Sequence, residues 1–374
     1  KGIPYDVVMI DFRRAFDVVP FKLLIRKLEA HGIGGDLINW LSDWTKGRAQ
    51  RAVLNGVNST WTDVLSSVVQ GSVLGPVLFT MFINDIDFAI TDLETKMFKY
   101  ADDSKFGRPI RSESDALSLQ STIDNIHRWA ETWGMEIHPQ KTHVLHFGYG
   151  NPEYEYTLKG VKISAVKSAK DLGVLINNSC SPSEHITTIT KKANGVLSQI
   201  HRTLICRNQE VIVKLYKTFV RPTIKSAGAA WFPWERQDVD SPEKVQRRAT
   251  RMVPGIGKLN YEERLIQCNL TTLERRRERG DMIDVFKMIN GYTRVDVERF
   301  FKFADQRHEV PTRSAVNKHL VPEKCRLEIQ KHFFTNRIVQ GWNALPIDIR
   351  EAEGVNRFKN LYDDWISTET DGQT

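Results

Sequence analysis

Apolar and polar residues follow two different periods over the first 180 residues and mainly one beyond them. The run YDVVMI (residues 5–10) is apolar and β-branched and ends at Asp11, as in a buried strand that delivers a carboxylate at its C-terminal end. Pro20 opens a helix over FKLLIRKLEAHG that Gly32 closes, and DLINWLSDW gives a second short helix. RAQRAVLNGVNSTW reads as two extended runs about an Asn-Gly turn. VVQGSVLGPVLFTMFINDI passes from a glycine-containing loop into an apolar helix with Pro76 in its first turn. MFKYADDSKFG, residues 97–107, sets Asp102 and Asp103 between two short apolar-rich runs, a hairpin pattern. Leu119, Ile123, Ile126, Ala130 and Trp133 then share one helical face ended by Gly134, and HVLHFG and KDLGVLIN read as strands.

These elements predict an α+β layer over residues 1–180, a sheet backed by helices. Beyond residue 181 the period is helical, with Ile186, Ile189, Ala193, Leu197, Ile200 and Leu204 on one stripe. A boundary is expected near Ser181–Ser183, which also offers an N-cap. Residues 181–290 read as a helical region and 291–374 as a connector followed by helices around EIQKHFFTNRIVQGW and VNRFKNLYDDWI.

At 374 residues and 41% apolar, the chain can bury a large core. No apolar run reaches the length of a membrane span, and KGIPYDVVMIDF lacks a signal-peptide pattern, so an intracellular protein is expected. A start on Lys1 inside a strand-like run suggests a piece of something longer. Cys180, Cys206, Cys268 and Cys325 are widely spaced, without a C-x-x-C pair, and read as reduced thiols. Charge is uneven: residues 1–180 hold 20 Lys and Arg against 21 Asp and Glu, whereas residues 181–374 hold 33 against 25. A basic half beside a neutral one suggests a polyanionic partner.

Adjacent aspartates in a turn are ordinarily turn chemistry. Asp11 and Asp102 nevertheless both follow strands, and a sheet that set those strands side by side would join their carboxylates. Hard oxygen ligands suit Mg²⁺, and paired ions serve polymerases and nucleases alike.

The motifs DFRRAFDVVP, QGSVLGPVLFTMFINDI, YADD, WGMEIHPQKTHVLHFG and DLGVLI occur in the order of reverse transcriptase palm motifs. KLYKTFVRPTIKSAGAAWFPW, EKVQRRATRMVPG, YEERL, LERRRERGDMIDVFK and FFTNRIVQGWNALP resemble the tail of jockey-like, non-LTR retrotransposon polymerases. The resemblance implies a palm with an antiparallel sheet backed by helices, followed by a mainly helical thumb and C-terminal region, acting as an RNA-directed DNA polymerase. Its partners would be an RNA template, a DNA primer and deoxynucleoside triphosphates, in the nucleus where chromosomal DNA is met. It further implies that Asp11, Asp102 and Asp103 are catalytic and bind two Mg²⁺ ions, for which Mn²⁺ can substitute. Phe16 would sit beneath the sugar of the incoming nucleotide and exclude a 2′-hydroxyl; Gln70, Gly71 and Tyr100 would line the same pocket. Lys141 matches the lysine that meets the departing pyrophosphate, and on spacing alone it reads equally as a surface lysine. Leu172, Gly173 and Val174 match the primer-grip hairpin, where Gly lets a nucleic-acid backbone come close.

Lys244, Arg247, Arg248 and Arg251 fall at i, i+3, i+4 and i+7, a cationic helical stripe suited to a phosphate backbone. Four positions depart from the family pattern: Phe21 replaces a His, Val69 a Pro, His138 an Asn and Pro242 a Leu. The family's upstream fingers and endonuclease do not precede Lys1 in this sequence, so a non-catalytic, nucleic-acid-binding relic is the alternative reading. A two-metal nuclease is the other, since paired acids alone do not separate cutting from joining.

Overall fold

The computed structural model describes residues 2–205, 208–304 and 318–371. Two compact units divide the chain: Lys1–Leu172 with Asn177–Ser179, and Gly173–Ile176 with Cys180–Thr374.

In the first unit, strand β1 (Tyr5–Ile10) leads into the one-turn helix α1 (Ala15–Val18), then α2 (Phe21–Ala30) and α3 (Gly35–Thr45). A β-ribbon follows, built from β2 (Ala49–Gln50), β3 (Val53–Leu54), β4 (Val57–Asn58) and β5 (Thr62–Asp63). Asn55 and Gly56 both have positive φ at its tip, which gives the hairpin turn expected of an Asn-Gly pair. After α4 (Leu74–Ile83) come β6 (Lys96–Tyr100), β7 (Asp103–Pro109), α5 (Glu113–Thr132) and β8 (His143–Phe147). Short strands β9 (Thr157–Leu158), β10 (Val161–Lys162), β11 (Ser164–Ala165) and β12 (Ser168–Asp171) close the unit.

The main sheet has the order β11-β8-β1-β7-β6, with β1 at its centre. All pairings are antiparallel except the edge strand β11, which runs parallel to β8, a departure from the fully antiparallel sheet expected. The excursion through β9 and β10 returns the chain in the direction of β8. On one sheet face Val8, Ile10, Phe106 and Val144 join Leu78, Phe79 and Phe82 of α4 and Leu119, Ile123 and Ile126 of α5 in one core. The opposite face is left for chemistry.

KDLGVLIN is not one strand. Leu172 and Gly173 both have positive φ, and this turn separates β12 from β13 (Val174–Asn177).

The second unit contains α6 (Ser183–Thr203), α7 (Gln209–Leu215), a π-helical turn over Tyr216–Val220, α8 (Arg236–Arg251), α9 (Tyr261–Gln267) and α10 (Leu273–Ile289). At the start of α6, Pro182 precedes the first helical residue, the Ser181 hydroxyl accepts from the Ser183 amide at 3.4 Å, and the Ser183 hydroxyl donates to Asp238 Oδ2. Val174, Ile186, Leu197, Tyr216, Trp231 and Val245 share a core. A second core gathers Phe286, Trp342 and Phe358. The helix expected over EIQKHFFTNRIVQGW is two, Glu328–Lys331 and Phe334–Ala344, because Phe333 takes an extended backbone between them. Cys180, Cys268 and Cys325 are free thiols, and Cys206 lies outside the described residues. No helix among the described residues is long and apolar enough to cross a membrane.

Candidate active site

The register of β1 against β7 decides where the acids go. Ile10 lies opposite Ser104, so one further step along the antiparallel pair sets Asp11 opposite Asp103. Side chains alternate across a strand. Val8 and Ile10 enter the core, and Met9, Asp11, Asp103 and Lys105 therefore share the other face. Asp102 sits in the two-residue turn between β6 and β7, where Ala101 takes positive φ. Tyr100 pairs with Asp103 and Phe98 with Lys105, leaving both rings exposed beside the acids.

Asp103 is held above the usual carboxylate range, first by burial and then by the like charges of Asp102, Asp171 and Asp11, against which Lys105 pulls down. Asp171 is the acid that the motif reading passed over. It lies immediately before the Leu-Gly pair in DLGVLI and forms an ion pair with Lys105, two residues beyond Asp103. A cavity of about 250 Å³ on this face is lined by Phe98, Tyr100, Asp103, Lys105, Asp171 and Leu172.

Lys141 reaches the site by backbone pairing. Phe12 bridges Ile137, the His138 amide donates to the Asp11 carbonyl at 2.8 Å, and the turn from His138 to Lys141 sets Lys141 Nζ 3.7 Å from Asp11 Oδ1. The contact through His138 uses its main chain.

Phe16 and Gln70 are tied together through α1. The Phe16 ring stacks on Phe79 with centroids 4.2 Å apart, and its carbonyl accepts from the Val68 amide. The Gln70 side-chain amide donates to Asp17 Oδ1 at 2.5 Å. Gly71 has φ +78°, which suits glycine, with open space where a Cβ would project. Phe21, at the position of the family's His, lies under the Arg48 guanidinium at 5.0 Å.

Divalent ions of the Mg²⁺ class take one or two protein carboxylates and fill the remaining positions with water and substrate phosphates. Carboxylates that raise one another's cost of ionisation suit such a cation. Among the described residues, no three His, Cys, Asp or Glu side chains form a closed metal-holding group by themselves.

In the second unit, Val174 is buried in the core. Lys244, Arg247, Arg248 and Arg251 are all exposed on α8, while Val245 and Ala249 are buried on its other side. Arg247 lies over the Tyr261 ring at 4.8 Å, and Arg248 donates to Asn194 and Ser198. Pro242 is buried within α8 and does not end it. No carboxylate among the described residues comes within ion-pair distance of this stripe.

Residues 6–176 match the family described as reverse transcriptase (RNA-dependent DNA polymerase). The chain is 26% identical over 273 residues to the RNA-directed DNA polymerase from mobile element jockey of Drosophila funebris, covering 70% of this chain and 29% of that protein. It is 25% identical over 256 residues to a probable RNA-directed DNA polymerase from transposon X-element of Drosophila melanogaster, covering 66% of this chain and 28% of the relative. The jockey polymerase of Drosophila melanogaster is 25% identical over 225 residues, which cover 58% of this chain and 24% of that protein. The chain thus spans under a third of the length of these curated relatives. Residues 6–176 thus match the reverse transcriptase family, and the chain is similar to the polymerases of jockey-like, non-LTR retrotransposons.

Proposed function

We propose that this chain is the palm and following helical region of an RNA-directed DNA polymerase that copies a retrotransposon's RNA into DNA. The observation that carries the reading is the β1–β7 register, which brings Asp11 and Asp103 together with Asp102 beside them. Asp11, Asp102 and Asp103 would hold two divalent ions, Mg²⁺ or Mn²⁺ in its place. When bound, such ions activate the attacking primer 3′ oxygen and stabilise the leaving phosphate oxygen. Lys141, kept near Asp11, presents an Nζ proton toward the departing pyrophosphate. Phe16, fixed against Phe79, limits room at the sugar; Asp17 orients the Gln70 amide; Tyr100 and Leu172 border the acids. Leu172 and Gly173 form the tight turn at the primer, and the cations of α8 follow a phosphate backbone. Primer, template RNA, deoxynucleotides and a nuclear site of action complete the reading.

The test is primer extension by this chain on an RNA template with a DNA primer, Mg²⁺ and deoxynucleotides, beside Asp102→Asn. Extension is expected to fall by at least about a hundredfold in the variant. Mn²⁺ binding, followed by its electron paramagnetic resonance signal, is expected to weaken in parallel. Undiminished extension in Asp102→Asn, or equal Mn²⁺ binding by both proteins, overturns the assignment. End-directed release of nucleotides with no extension points to the nuclease reading.

A further inference from the structure

The β2–β5 ribbon is absorbed by none of the roles above, although it carries, among the described residues, the most open arrangement of cation and ring. From Trp44 to Thr62 the sequence holds Lys46, Arg48 and Arg51 and no acid. Gln50 pairs with Thr62 and Val53 with Asn58, so two residues, Arg51 and Ala52, face three, Ser59, Thr60 and Trp61. This is a β-bulge, a device that turns a side chain out of the regular pleat. The Ser59 amide donates to the Ala52 carbonyl, and the Ala52 amide donates to the Ser59 hydroxyl rather than to a backbone oxygen. Trp61 is thereby set beside Arg51, whose guanidinium lies over its ring at 4.7 Å, and it remains 63% exposed.

The base of the ribbon opens onto a cavity of about 860 Å³ whose lining includes Arg14, Asp17, Arg48, Gln50, Asp63 and Gln70. Arg48 is anchored there by donating to the Thr45 and Ser67 carbonyls. Among the residues assigned to the candidate nucleotide pocket, Gln70 borders this cavity. An exposed aromatic face with a stacked cation, on a ribbon whose one acid, Asp63, stands at its base, has the chemistry that holds an unpaired base and its phosphate.

We propose that this ribbon is a stacking platform for single-stranded RNA, with a base on Trp61 and a phosphate on Arg51, which rests on the RNA-copying reading only in identifying the strand as template. Duplex RNA has no free base face to offer Trp61, so the contact selects unpaired strand.

The test is fluorescence anisotropy with a short fluorescein-labelled oligouridylate, without metal or deoxynucleotides, over a series of salt concentrations. Trp61→Ala is expected to weaken binding by about fivefold or more, while Trp61→Phe, which keeps a ring, stays within about twofold of the parent. Arg51→Gln is expected to lower the slope of log affinity against log salt by about 0.7. Duplex RNA affinity should be unchanged by Trp61→Ala. Equal oligouridylate binding by the parent and Trp61→Ala, no binding by the parent, or parallel losses for single-stranded and duplex RNA overturns the proposal. Since no synthesis is measured, these outcomes are independent of whether the acids polymerise.

Discussion

At the scale of single residues, Lys27 is the most tightly constrained cation of the first unit. Only 3% of its side chain is exposed; Nζ lies 2.6 Å from Asp85 Oδ1 and donates to the Phe82 carbonyl. The rings of Phe82, Trp129 and Trp133 surround it at 4.5, 4.6 and 3.8 Å. Burial lowers its pKa to about 8, outweighing the opposing pull of Asp85. The folded value therefore lies below that of the unfolded chain, about 10.4. Between those values the unfolded chain binds a proton that the folded chain has released, so this group's contribution to stability rises with pH across that window. Lys27→Met is expected to remove that slope from a urea denaturation series measured between pH 8 and 10. It should also cost about 2–3 kcal/mol at pH 7, because Asp85 and the Phe82 carbonyl lose their cation while Asp85 keeps some solvent contact. A parallel pH slope in the variant and the parent sinks this account. The role of Lys27 could not be seen in the sequence. Its partners are 55 to 106 positions away, and a lysine in an amphipathic helix ordinarily faces water.

At the scale of elements, the sheet that sets the acids depends on one glycine. A Cβ on Gly107 would lie 2.3 Å from the Asp6 carbonyl oxygen and 2.8 Å from a Tyr5 ring carbon, and Tyr5 also donates its hydroxyl to the Gly107 carbonyl. Gly107→Ala must push β7 away from β1. The expected loss is about 3 kcal/mol, read as a lower midpoint in urea; an unchanged midpoint would refute the close-packing argument. Much of this architecture was legible, because Asn-Gly at 55–56, Pro76 and the stripe Leu119, Ile123, Ile126 are local signals that the packing reinforces. The site was legible in part. Asp11, Asp102 and Asp103 belong to recognisable motifs, whereas Asp171 becomes notable only when Lys105 and Asp103 are brought to it across more than sixty positions. Periodicity reads Leu172–Gly173 as strand interior, because leucine seldom takes positive φ, whereas the resemblance to a primer-grip hairpin implies a bend at this place. The break before Phe334 had no proline or glycine to mark it; Phe334 and Ile338 are drawn to the second core by packing alone.

At the scale of the whole molecule, charge and chemistry are carried by different parts of the chain. The acids sit in the half whose charges nearly balance, and the uncompensated cations of α8 sit in the other. Attraction to a polyanion weakens steeply as salt rises, whereas a carboxylate site that works on short contacts is screened far less. On the proposed reading, the exposed α8 stripe would have a kinetic meaning beyond affinity: it would set how many nucleotides are added before the strand departs. Raising salt from about 50 to about 200 mM is expected to shorten extension products severalfold while the rate of the first addition, at saturating enzyme, changes little. Arg247→Gln with Arg251→Gln should give short products at low salt, and full-length products from that double variant would show that the stripe does not retain the strand. On this view dwell time on the template can be tuned by substitutions that leave every acid untouched.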